Sequence, residues 1–485
     1  MSKNMKAVFR ASRNGLILAL VACATNPATG RREISLVSES QEVAMGREAD
    51  PVVSAQMGGV YPDSGLQQYA RSIGLNMTAL SERPGLPWSF KVLDDELINA
   101  FALPGGYIYV TRGILGFMNS EAELAAVLGH EIGHVTARHS VNQLTRAQLA
   151  QLGLGVGMIF SETIRQVGQA ASTGLQLLFL KFGRDDERQA DELGFRYMTR
   201  GQYDPNGMTT VMQMLDASSP SGPDEIPGWL STHPDPGDRA QANQTRISQS
   251  GQDYSAYTIR RDEFLRQLDG MVWGEDPRHG YFIASRFLHP TLAFELTFPA
   301  GWRTQNSALS VQAMSAARDA AMSLSLASAT RAADALRGFV SADGITATRT
   351  WRESINGLEA QLAEFTAQTE QGQLRGVVAY IEHGGAVYQV LGYGTAQNWP
   401  SNQAAALTST RSFRRLTDRR YTDVEPQRIA IVQLPRSMTF NEFTSSYPST
   451  APADRVALLN QVAQDASIPA GRLMKRVVGG RVPTQ

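Results

Sequence analysis

The feature that most constrains this chain is a pair of histidines one helical turn apart in an apolar segment. The run from Glu121 to Leu144 is predicted to be one helix, because Ser120 and Glu123 form a capping-box pattern ahead of apolar residues at helical spacing. At about 100° per residue, His130 and His134 lie on one face of that helix. Two imidazoles in this position can bind one Zn²⁺ ion.

Glu131 lies beside these histidines, where its carboxylate can polarise a water molecule on the metal. The alternative is that both histidines are ordinary core or surface residues. The flanking residues are apolar and include Gly129 and Gly133, which suit close approach of another element rather than a solvated face. A zinc site also needs a third protein ligand, which must come from elsewhere in the chain.

His139 is the nearest further histidine, and helical geometry argues against it as a ligand. It lies five residues after His134, about 140° further round the same predicted helix. His139 is therefore predicted to point away from the metal and to lie on the polar face.

A better source of the third ligand is the acidic segment from Arg184 to Phe195, which is predicted to be a helix packed on one side. Glu187 and Asp191 lie one turn apart on the same face. Glu187 can complete the zinc site, and Asp191 can accept the free N–H of a ligating histidine. The alternative is that the acidic residues form a solvated charged face, but the pairing with the first helix favours the ligand interpretation.

Four short segments occur in a characteristic order along the chain. They are Asn99-Ala100-Phe101, His130-Glu131-Ile132-Gly133-His134, Glu187-Arg188-Gln189-Ala190-Asp191, and Ser231-Thr232-His233-Pro234 with Arg239 six residues after the histidine. This order resembles the zinc metallopeptidases related to HtpX and the CaaX prenyl protease, a gluzincin family, and is closest in type to the BepA-like periplasmic lipoprotein proteases. The resemblance covers residues 35–250.

The resemblance implies a role for each matched residue. It implies one zinc ion per chain bound by His130, His134 and Glu187, with Glu131 as the general base and with Asp191 and Arg239 supporting the ligands. It also implies that the strand at Asn99 and Ala100 pairs with an extended substrate backbone, although a purely structural role fits this segment equally well.

His233 has three possible roles. It can donate a hydrogen bond to the tetrahedral intermediate, or it can occupy the fourth zinc position and hold the enzyme latent, as the resemblance to BepA-like proteases implies. In the third interpretation it only precedes a helix that begins near Pro234 and Pro236.

The N-terminus predicts export and lipid attachment. Basic residues precede a short apolar stretch from Leu16 to Ala22, which resembles a secretory signal and is too short to span a bilayer. Residues 1–22 are therefore predicted to be a signal peptide, and the sequence around Cys23, the only cysteine, resembles a bacterial lipobox. This resemblance implies a lipidated N-terminus and linker at residues 23–45. Ala24 implies the outer membrane by analogy with enterobacterial lipoproteins.

Length and composition predict several globular domains. The chain has 485 residues, of which 42% are hydrophobic, and its net charge is −1 without a large basic cluster outside the signal, which argues against a nucleic-acid partner. The predicted fold class is α+β. It comprises a mainly helical zincin-type domain with a small β-sheet at residues 46–250, an α+β accessory domain at residues 255–420, and a small LysM-like module at residues 425–485. The LysM similarity would make peptidoglycan a partner, but the usual Gly-Asp-Thr is missing.

Local patterns add details to this organisation. Residues 149–182 are apolar and are predicted to form two helices over the active-site helix, with a lid or membrane contact as the alternative. In the accessory domain, alternation predicts strands at Leu292–Pro299, Met322–Leu326, Val377–Ile381 and Ala386–Gly392, and composition predicts helices at Leu358–Thr369 and Ala404–Arg415.

The sequence as a whole predicts a zinc endopeptidase in the bacterial periplasm, held by lipid at the outer membrane. The family resemblance implies that its substrates are unfolded or misassembled envelope proteins. The main alternative is a periplasmic chaperone or assembly factor that binds outer-membrane clients with little proteolysis. Further candidate partners are the outer-membrane assembly machinery and peptidoglycan.

Overall fold

The computed structural model describes residues 23–153, 181–218, 229, 232–369 and 372–483. The chain divides into two compact units. The first consists of Met1–Ser54, Val60–Met271 and Ile429–Arg476, and the second of Ala55–Gly59, Val272–Arg428 and Val477–Gln485. The predicted signal peptide and most of the predicted helix pair at residues 149–182 lie outside the described residues.

The first unit is mainly helical up to Met271. Its elements are β1 (Cys23–Thr25), β2 (Arg32–Ile34), α1 (Glu39–Gln56), α2 (Ser64–Thr78), β3 (Ser89–Leu93), β4 (Ala100–Leu103), β5 (Tyr107–Thr111), α3 (Arg112–Phe117), α4 (Glu121–Thr136), α5 (His139–Gly153), α6 (Arg184–Arg200), α7 (Asn206–Ala217), α8 (Pro236–Ser250) and α9 (Arg261–Gln267).

Helix α4 is the centre of this unit, and all of its residues are buried. Ser120 caps its first turn, since its side chain accepts a hydrogen bond from the Glu123 N–H at 3.2 Å, and the Glu123 carboxylate accepts one from the Asn119 N–H at 2.8 Å. The helix ends at Thr136, and Arg138 then takes a left-handed φ of 57°. The prediction of one helix from Glu121 to Leu144 is therefore wrong.

Long-range contacts account for this break. The Arg138 guanidinium donates to the Glu42 carboxylate at 2.9 Å and to the Val37 carbonyl at 2.8 Å. Both partners belong to the N-terminal part of the chain, so the pattern around residue 138 gives no sign of the break.

Glycines bring α4 and α6 close together. A methyl group built on Gly133 would lie 2.8 Å from the Ala190 carbonyl oxygen, and one on Gly129 would lie 3.2 Å from the Gly194 carbonyl oxygen. The prediction that Gly129 and Gly133 permit close approach of another element is confirmed. This contact places the polar faces of the two helices against each other.

A small mixed sheet lies beside these helices. Its order is β3–β5–β4, with β3 parallel and β4 antiparallel to β5. Gly105 and Gly106, with φ of 82° and 101°, form the turn between β4 and β5. Among the described residues, β4 is an edge strand with its outer side unpaired.

The second unit is built mainly from strands. Its elements are β6 (Val272–Trp273), a 3₁₀ helix (Pro277–His279), β7 (Tyr281–Ile283), β8 (Arg286–His289), β9 (Phe294–Thr297), β10 (Arg303–Asn306), β11 (Ser310–Met314), β12 (Ala320–Leu326), α10 (Ala332–Val340), β13 (Ile345–Ile355), β14 (Leu358–Thr369), β15 (Gly372–His383), β16 (Ala386–Thr395), α11 (Trp399–Arg411), β17 (Arg414–Arg415) and α12 (Arg419–Thr422).

A seven-stranded antiparallel sheet of order β10–β11–β12–β16–β15–β14–β13 organises this unit. Adjacent residues of β15 serve opposite faces: Val377 packs in the core that includes Trp399 of α11, and Val378 packs in the core that includes Leu336 of α10. A second sheet has the order β17–β9–β8–β7. The structure thus agrees with the predicted α+β class.

The prediction of a helix at Leu358–Thr369 is wrong, because these residues form strand β14. Leucine, alanine, glutamate and glutamine favour a helix by composition, but Leu358, Ala360 and Leu362 alternate and are buried on one face. Asn356 and Gly357, with φ of 48° and 79°, form the tight turn that pairs β13 with β14. An Asn-Gly pair is a strong hairpin signal and overrides the helical composition here.

The chain ends with β18 (Glu425–Gln433), β19 (Met438–Thr439), α13 (Phe440–Ser446), α14 (Ala453–Asn460), β20 (Ser467–Ile468) and β21 (Leu473–Arg481). Residues Ile429–Arg476, which fall within the predicted LysM-like module, group with the first unit. Within that unit, the Lys475 ammonium donates to the carbonyls of Gly116 and Met118, each at 2.7 Å, and the Asn119 side chain donates to the Leu459 carbonyl at 2.9 Å. This segment therefore packs directly before α4. Within the described residues, no helix combines the length and apolar character needed to cross a bilayer.

Candidate metal centre

Four buried side chains converge where α4 meets α6. His130 and His134 come from α4, Glu187 from α6, and His233 from the residues just before α8, and one potential ligand atom of each lies within 4.8 Å of all the others. The Nε2 atoms of His130 and His134 are 3.0 Å apart, and the Glu187 carboxylate lies 3.4 Å from His134 Nε2 and 3.5 Å from His130 Nε2. The structure thus brings together the three sequence-predicted ligands.

The tautomer of His130 leaves a lone pair on Nε2, the ring nitrogen that faces this cluster. His130 Nδ1 lies 2.9 Å from the Asp191 carboxylate, which can only accept, so Nδ1 carries the proton. Arg239 donates to Asp191 from Nε at 2.8 Å and from Nη2 at 2.7 Å, and it lies 2.9 Å from the Glu187 carboxylate. Burial raises the pKa of Asp191, but Arg239 and His130 outweigh it and lower that pKa overall, so Asp191 stays ionised.

His134 has a different support. Its Nδ1 lies 2.9 Å from His139 Nδ1, and His139 Nε2 lies 2.8 Å from the Gln189 side-chain oxygen. His139 is 2% exposed, so its predicted place on a polar face is wrong. The break after α4 explains the error, because a new helix begins at His139 and its side chain turns back toward His134.

The pKa values of His130 and His139 are lowered, and those of the two glutamates are shifted in opposite directions. The pKa of His130 falls to about 3 and that of His139 to about 4, both chiefly through burial. Burial also raises the pKa of Glu131 to about 7. For Glu187, burial acts upward, but the neighbouring His233, His134 and His130 outweigh it, so its pKa is lowered. A neutral His130 imidazole beside the ionised Glu187 carboxylate supplies donors of the kind that Zn²⁺ prefers.

Glu131 lies next to this donor set without belonging to it. Both of its carboxylate oxygens are buried and have no hydrogen-bond partner among the described residues. An unsatisfied buried carboxylate is costly in a purely structural role. The position of Glu131 therefore fits a group that acts on water or substrate beside a cation.

His233 faces the same cluster. Its Nδ1 lies 3.0 Å from the Glu187 carboxylate and 3.3 Å from His130 Nε2, and its Nε2 lies 3.6 Å from the Glu131 carboxylate. The fully buried Trp229 stacks on its ring at a centroid distance of 4.7 Å, and the Arg239 guanidinium lies 4.9 Å from the Trp229 ring centroid. His233 is thus held at the cluster.

Trp229 also connects the site to the predicted substrate strand. The backbone N–H of Trp229 donates to the carbonyl of Ile98, the residue directly before Asn99, at 3.0 Å. The Asn99 carbonyl accepts from the Thr111 N–H at 3.0 Å, and Ala100 lies opposite Val110 with its side chain fully buried. Thr111 thus occupies both backbone groups of Asn99, since its hydroxyl also accepts from the Asn99 N–H at 3.2 Å, and the buried Asn99 side-chain oxygen has no hydrogen-bond partner among the described residues.

Several site residues escaped the sequence interpretation. Trp229 follows a loop sequence and Phe182 is the last residue of the predicted helix pair, yet Phe182 stacks on His134 at a centroid distance of 4.0 Å. Gln189 lies inside the recognised Glu187–Asp191 segment, but its position two residues after Glu187 gives no sign of its contact with His139. Cys23 lies in β1, and its lipidation stays a prediction.

The comparison with protein families decides the class of this domain. Residues 65–247 match the model of peptidase family M48. The chain carries an M48 peptidase domain. The predicted similarity to BepA-like metallopeptidases is thereby confirmed for this domain. The matched residues contain α4, α6 and the segment just before α8, which supply all four residues of the cluster.

Individual relatives agree with the M48 assignment. The chain is 30% identical over 285 aligned residues to the Beta-barrel assembly-enhancing protease of Escherichia coli K12, and the alignment covers 51% of this chain and 56% of that protein. It is 30% identical over 214 residues to the Mitochondrial metalloendopeptidase OMA1 of Schizosaccharomyces pombe, which is 43% of this chain and 61% of that protein. The chain spans about half the length of the Beta-barrel assembly-enhancing proteases that it matches.

The overall similarity to the solved structure of a PsbP protein is weak. The cyanobacterial PsbP protein of Synechocystis aligns with 28% of this chain and 94% of its own length, at 16% identity and a TM-score of 0.23. A TM-score this low supports no conclusion about fold or function.

Proposed function

We propose that this protein is a zinc-dependent endopeptidase of the bacterial cell envelope. The observation that carries this proposal is a buried cluster of potential metal ligands, His130, His134, Glu187 and His233. Beside it lies the carboxylate of Glu131, which accepts no hydrogen bond from the described residues. The M48 domain supports a metallopeptidase, and the nitrogen-rich donor set favours zinc over harder cations.

His130, His134 and Glu187 would hold the ion. Asp191 orients His130, and the contact between His139 and Gln189 orients His134, so both Nε2 lone pairs point into the site. When bound, zinc supplies a Lewis acid that polarises the scissile carbonyl and activates water. Glu131 takes a proton from the attacking water and passes it to the leaving amine, which its free carboxylate oxygens allow.

For His233, the distances favour the role of fourth ligand. A ring nitrogen of His233 lies among the other ligand atoms, within 4.8 Å of each. A histidine in this position would exclude substrate until it moves, so the resting enzyme would be latent. If His233 instead donates to the tetrahedral intermediate, its removal would lower activity rather than raise it.

The substrates we propose are unfolded or misassembled envelope proteins. The free edge of β4 offers backbone groups to an extended peptide, a mode that needs little side-chain selectivity. The name of the Escherichia coli relative refers to β-barrel assembly. Assembly factors at the outer membrane are therefore the partners that we propose. The same name also fits a second function, in which the protein binds client proteins and aids their assembly with little cleavage.

A signal peptide and a lipidated Cys23 would place the enzyme in the periplasm at the outer membrane. Replacement of Cys23 by Ser would then release the protein from the membrane fraction of cells. Retention of the Cys23→Ser protein in membranes would count against the lipid anchor without affecting the peptidase assignment.

The decisive experiment compares the soluble form that starts at Ala24 with its Glu131→Gln variant on an unfolded protein substrate. At equal zinc content, we expect the variant to lose about 10²–10⁴-fold in kcat, because only the proton transfer is removed. Glu187→Ala should instead lose bound zinc. Equal cleavage by both forms would point to a contaminant, and full zinc occupancy in Glu187→Ala would overturn the ligand assignment.

Should neither form cleave, His233→Ala separates latency from an assembly role. Activity that appears in His233→Ala, and disappears again when Glu131→Gln is added, would show that His233 closes the site. Continued inactivity with zinc bound would favour the client-binding function.

A further inference from the structure

The N-terminal hairpin carries an exposed amphipathic surface. We call this surface the N-terminal patch and define it as Arg31, Arg32, Ile34 and Leu36. Ile34 and Leu36 are 55% and 42% exposed, and both arginines are exposed. Arg32 and Ile34 lie on one face of β2, because side chains two apart in a strand share a face. Large apolar side chains next to free cationic ones are typical of membrane-surface contacts.

The patch begins at the residue predicted to carry lipid. Strands β1 and β2 pair antiparallel, and the register places Cys23 directly opposite Ile34. Residues opposite each other in such a pair are about 4.5–5.5 Å apart. The backbone of Cys23, where an acyl anchor would begin, therefore lies within one strand spacing of the backbone of Ile34.

The hairpin is fastened to the peptidase unit. Asn26 is 2% exposed and donates to the carbonyl of Ala137 at 2.9 Å. Glu33 points away from the patch and accepts from the Asn142 side chain at 2.8 Å, and the Leu36 N–H donates to the Thr145 hydroxyl at 3.2 Å. Only Ala24 and Thr25 lie between Cys23 and this attachment, so no long flexible linker follows the cysteine.

We propose that the N-terminal patch rests on an anionic lipid surface, with its arginines at the headgroups and Ile34 and Leu36 in the interface. This inference builds on the proposed lipidation of Cys23. Each arginine near an anionic surface strengthens binding about fivefold, and the exposed apolar side chains add to this when they leave water. A lipid anchor and a basic apolar patch together give the two signals that stable attachment needs.

The contact would hold the metal centre close to the membrane. Ala137, which Asn26 contacts, lies three residues after His134, or about 4.5 Å further along the chain at helical rise. The peptidase would therefore act on protein chains at the membrane surface and not on chains further away in the periplasm.

The test uses the fact that the form starting at Ala24 contains no cysteine. A histidine tag ahead of Ala24 tethers this form to vesicles of phosphatidylglycerol, phosphatidylcholine and a nickel-chelating lipid, in place of the acyl chains. One cysteine is then introduced by Leu36→Cys or, as the matched control, by Ile259→Cys, and labelled with a polarity-sensitive fluorophore. Ile259 is 48% exposed, and its carbonyl contacts Ala122 at the opposite end of α4.

We expect the fluorophore at residue 36 to shift to shorter wavelength and to be quenched by nitroxide lipids, while the fluorophore at residue 259 stays in water. Arg31→Gln with Arg32→Gln should weaken vesicle binding of the untagged form about 25-fold, since each charge contributes about fivefold. Equal, water-like emission at residues 36 and 259 would overturn the proposal. Because the tag replaces the lipid, this result is independent of whether Cys23 is acylated in cells, which Cys23→Ser tests separately.

Discussion

At the scale of single residues, the two histidines of α4 are held by unlike partners. His130 donates to the charged carboxylate of Asp191, whereas His134 is supported by the neutral pair of His139 and Gln189. A lone pair of His134 Nε2 that faces the metal requires the proton on Nδ1, so His139 Nδ1 must accept and His139 Nε2–H must donate to Gln189. In the proposed zinc site, Gln189 would therefore fix the tautomer of His134, which it does not touch.

This relay predicts unequal effects of two substitutions at Gln189. Gln189→Leu removes the acceptor and should weaken zinc binding about 10–100-fold, as should His139→Ala, whereas Gln189→Glu keeps an acceptor and should retain most of the affinity. Competition with a chelator measures the zinc dissociation constant, and thermal unfolding of the metal-free forms controls for loss of fold. Equal affinities for Gln189→Leu and Gln189→Glu would contradict the relay.

At the scale of secondary structure, the contact between α4 and α6 sets the geometry of the site. At this contact, α4 contributes Gly129 and Gly133, and α6 contributes Ala190 and Gly194. The two residues of each helix are four positions apart. The ligands of α4 follow Gly129 and Gly133 directly, and Glu187 and Asp191 flank Ala190. A wider separation of the helices would therefore move the carboxylates away from the imidazoles.

Gly133→Ala tests this dependence. Its new methyl group would lie 2.8 Å from the Ala190 carbonyl oxygen, so we expect a loss of about 1–3 kcal/mol in stability together with weaker zinc binding. Gly338→Ala in α10 is the matched control, because a methyl group there meets nothing within 4 Å and should be neutral or stabilising. Chemical denaturation and chelator competition measure both variants. Unchanged zinc affinity in Gly133→Ala would show that the site tolerates a wider crossing.

At the scale of the whole molecule, the C-terminal segment supports the start of the active-site helix. Lys475 is fully buried and bonds the carbonyls at the end of α3, and Gln461 donates to the Glu123 carboxylate at 2.9 Å. Burial lowers the pKa of Lys475 to about 7, although Glu123 acts in the opposite direction. An independent module would not place such a buried ammonium against the peptidase unit.

The pKa of Lys475 predicts a pH dependence of stability. Between about pH 7 and the ordinary lysine value of 10.5, the unfolded chain holds a proton that the folded chain has released, so this group favours folding more strongly as pH rises. Lys475→Met abolishes the effect. The difference in unfolding free energy, native minus Lys475→Met, should therefore increase from pH 7 to pH 10 in denaturant titrations. A constant difference across this range would contradict a lowered pKa.

The sequence by itself determined the elements that depend on local chemistry. Histidines at i and i+4, like carboxylates at i and i+4, indicate one face of a helix without reference to the rest of the chain. The Asn-Gly pair at Asn356 likewise indicates a hairpin, although the composition of the residues that follow it favours a helix. The same local logic predicted the strands now seen as β9, β12, β15 and β16 and the helix α11.

The tertiary structure alone decided what depends on distant partners. Arg138 takes its left-handed conformation while its guanidinium bonds Glu42 and Val37, and that turn buries His139 against His134. Trp229 stacks on His233, and the C-terminal segment packs before α4. These features arise from contacts between residues far apart in the chain, whose energies outweigh local preferences and leave no periodic signal in the sequence.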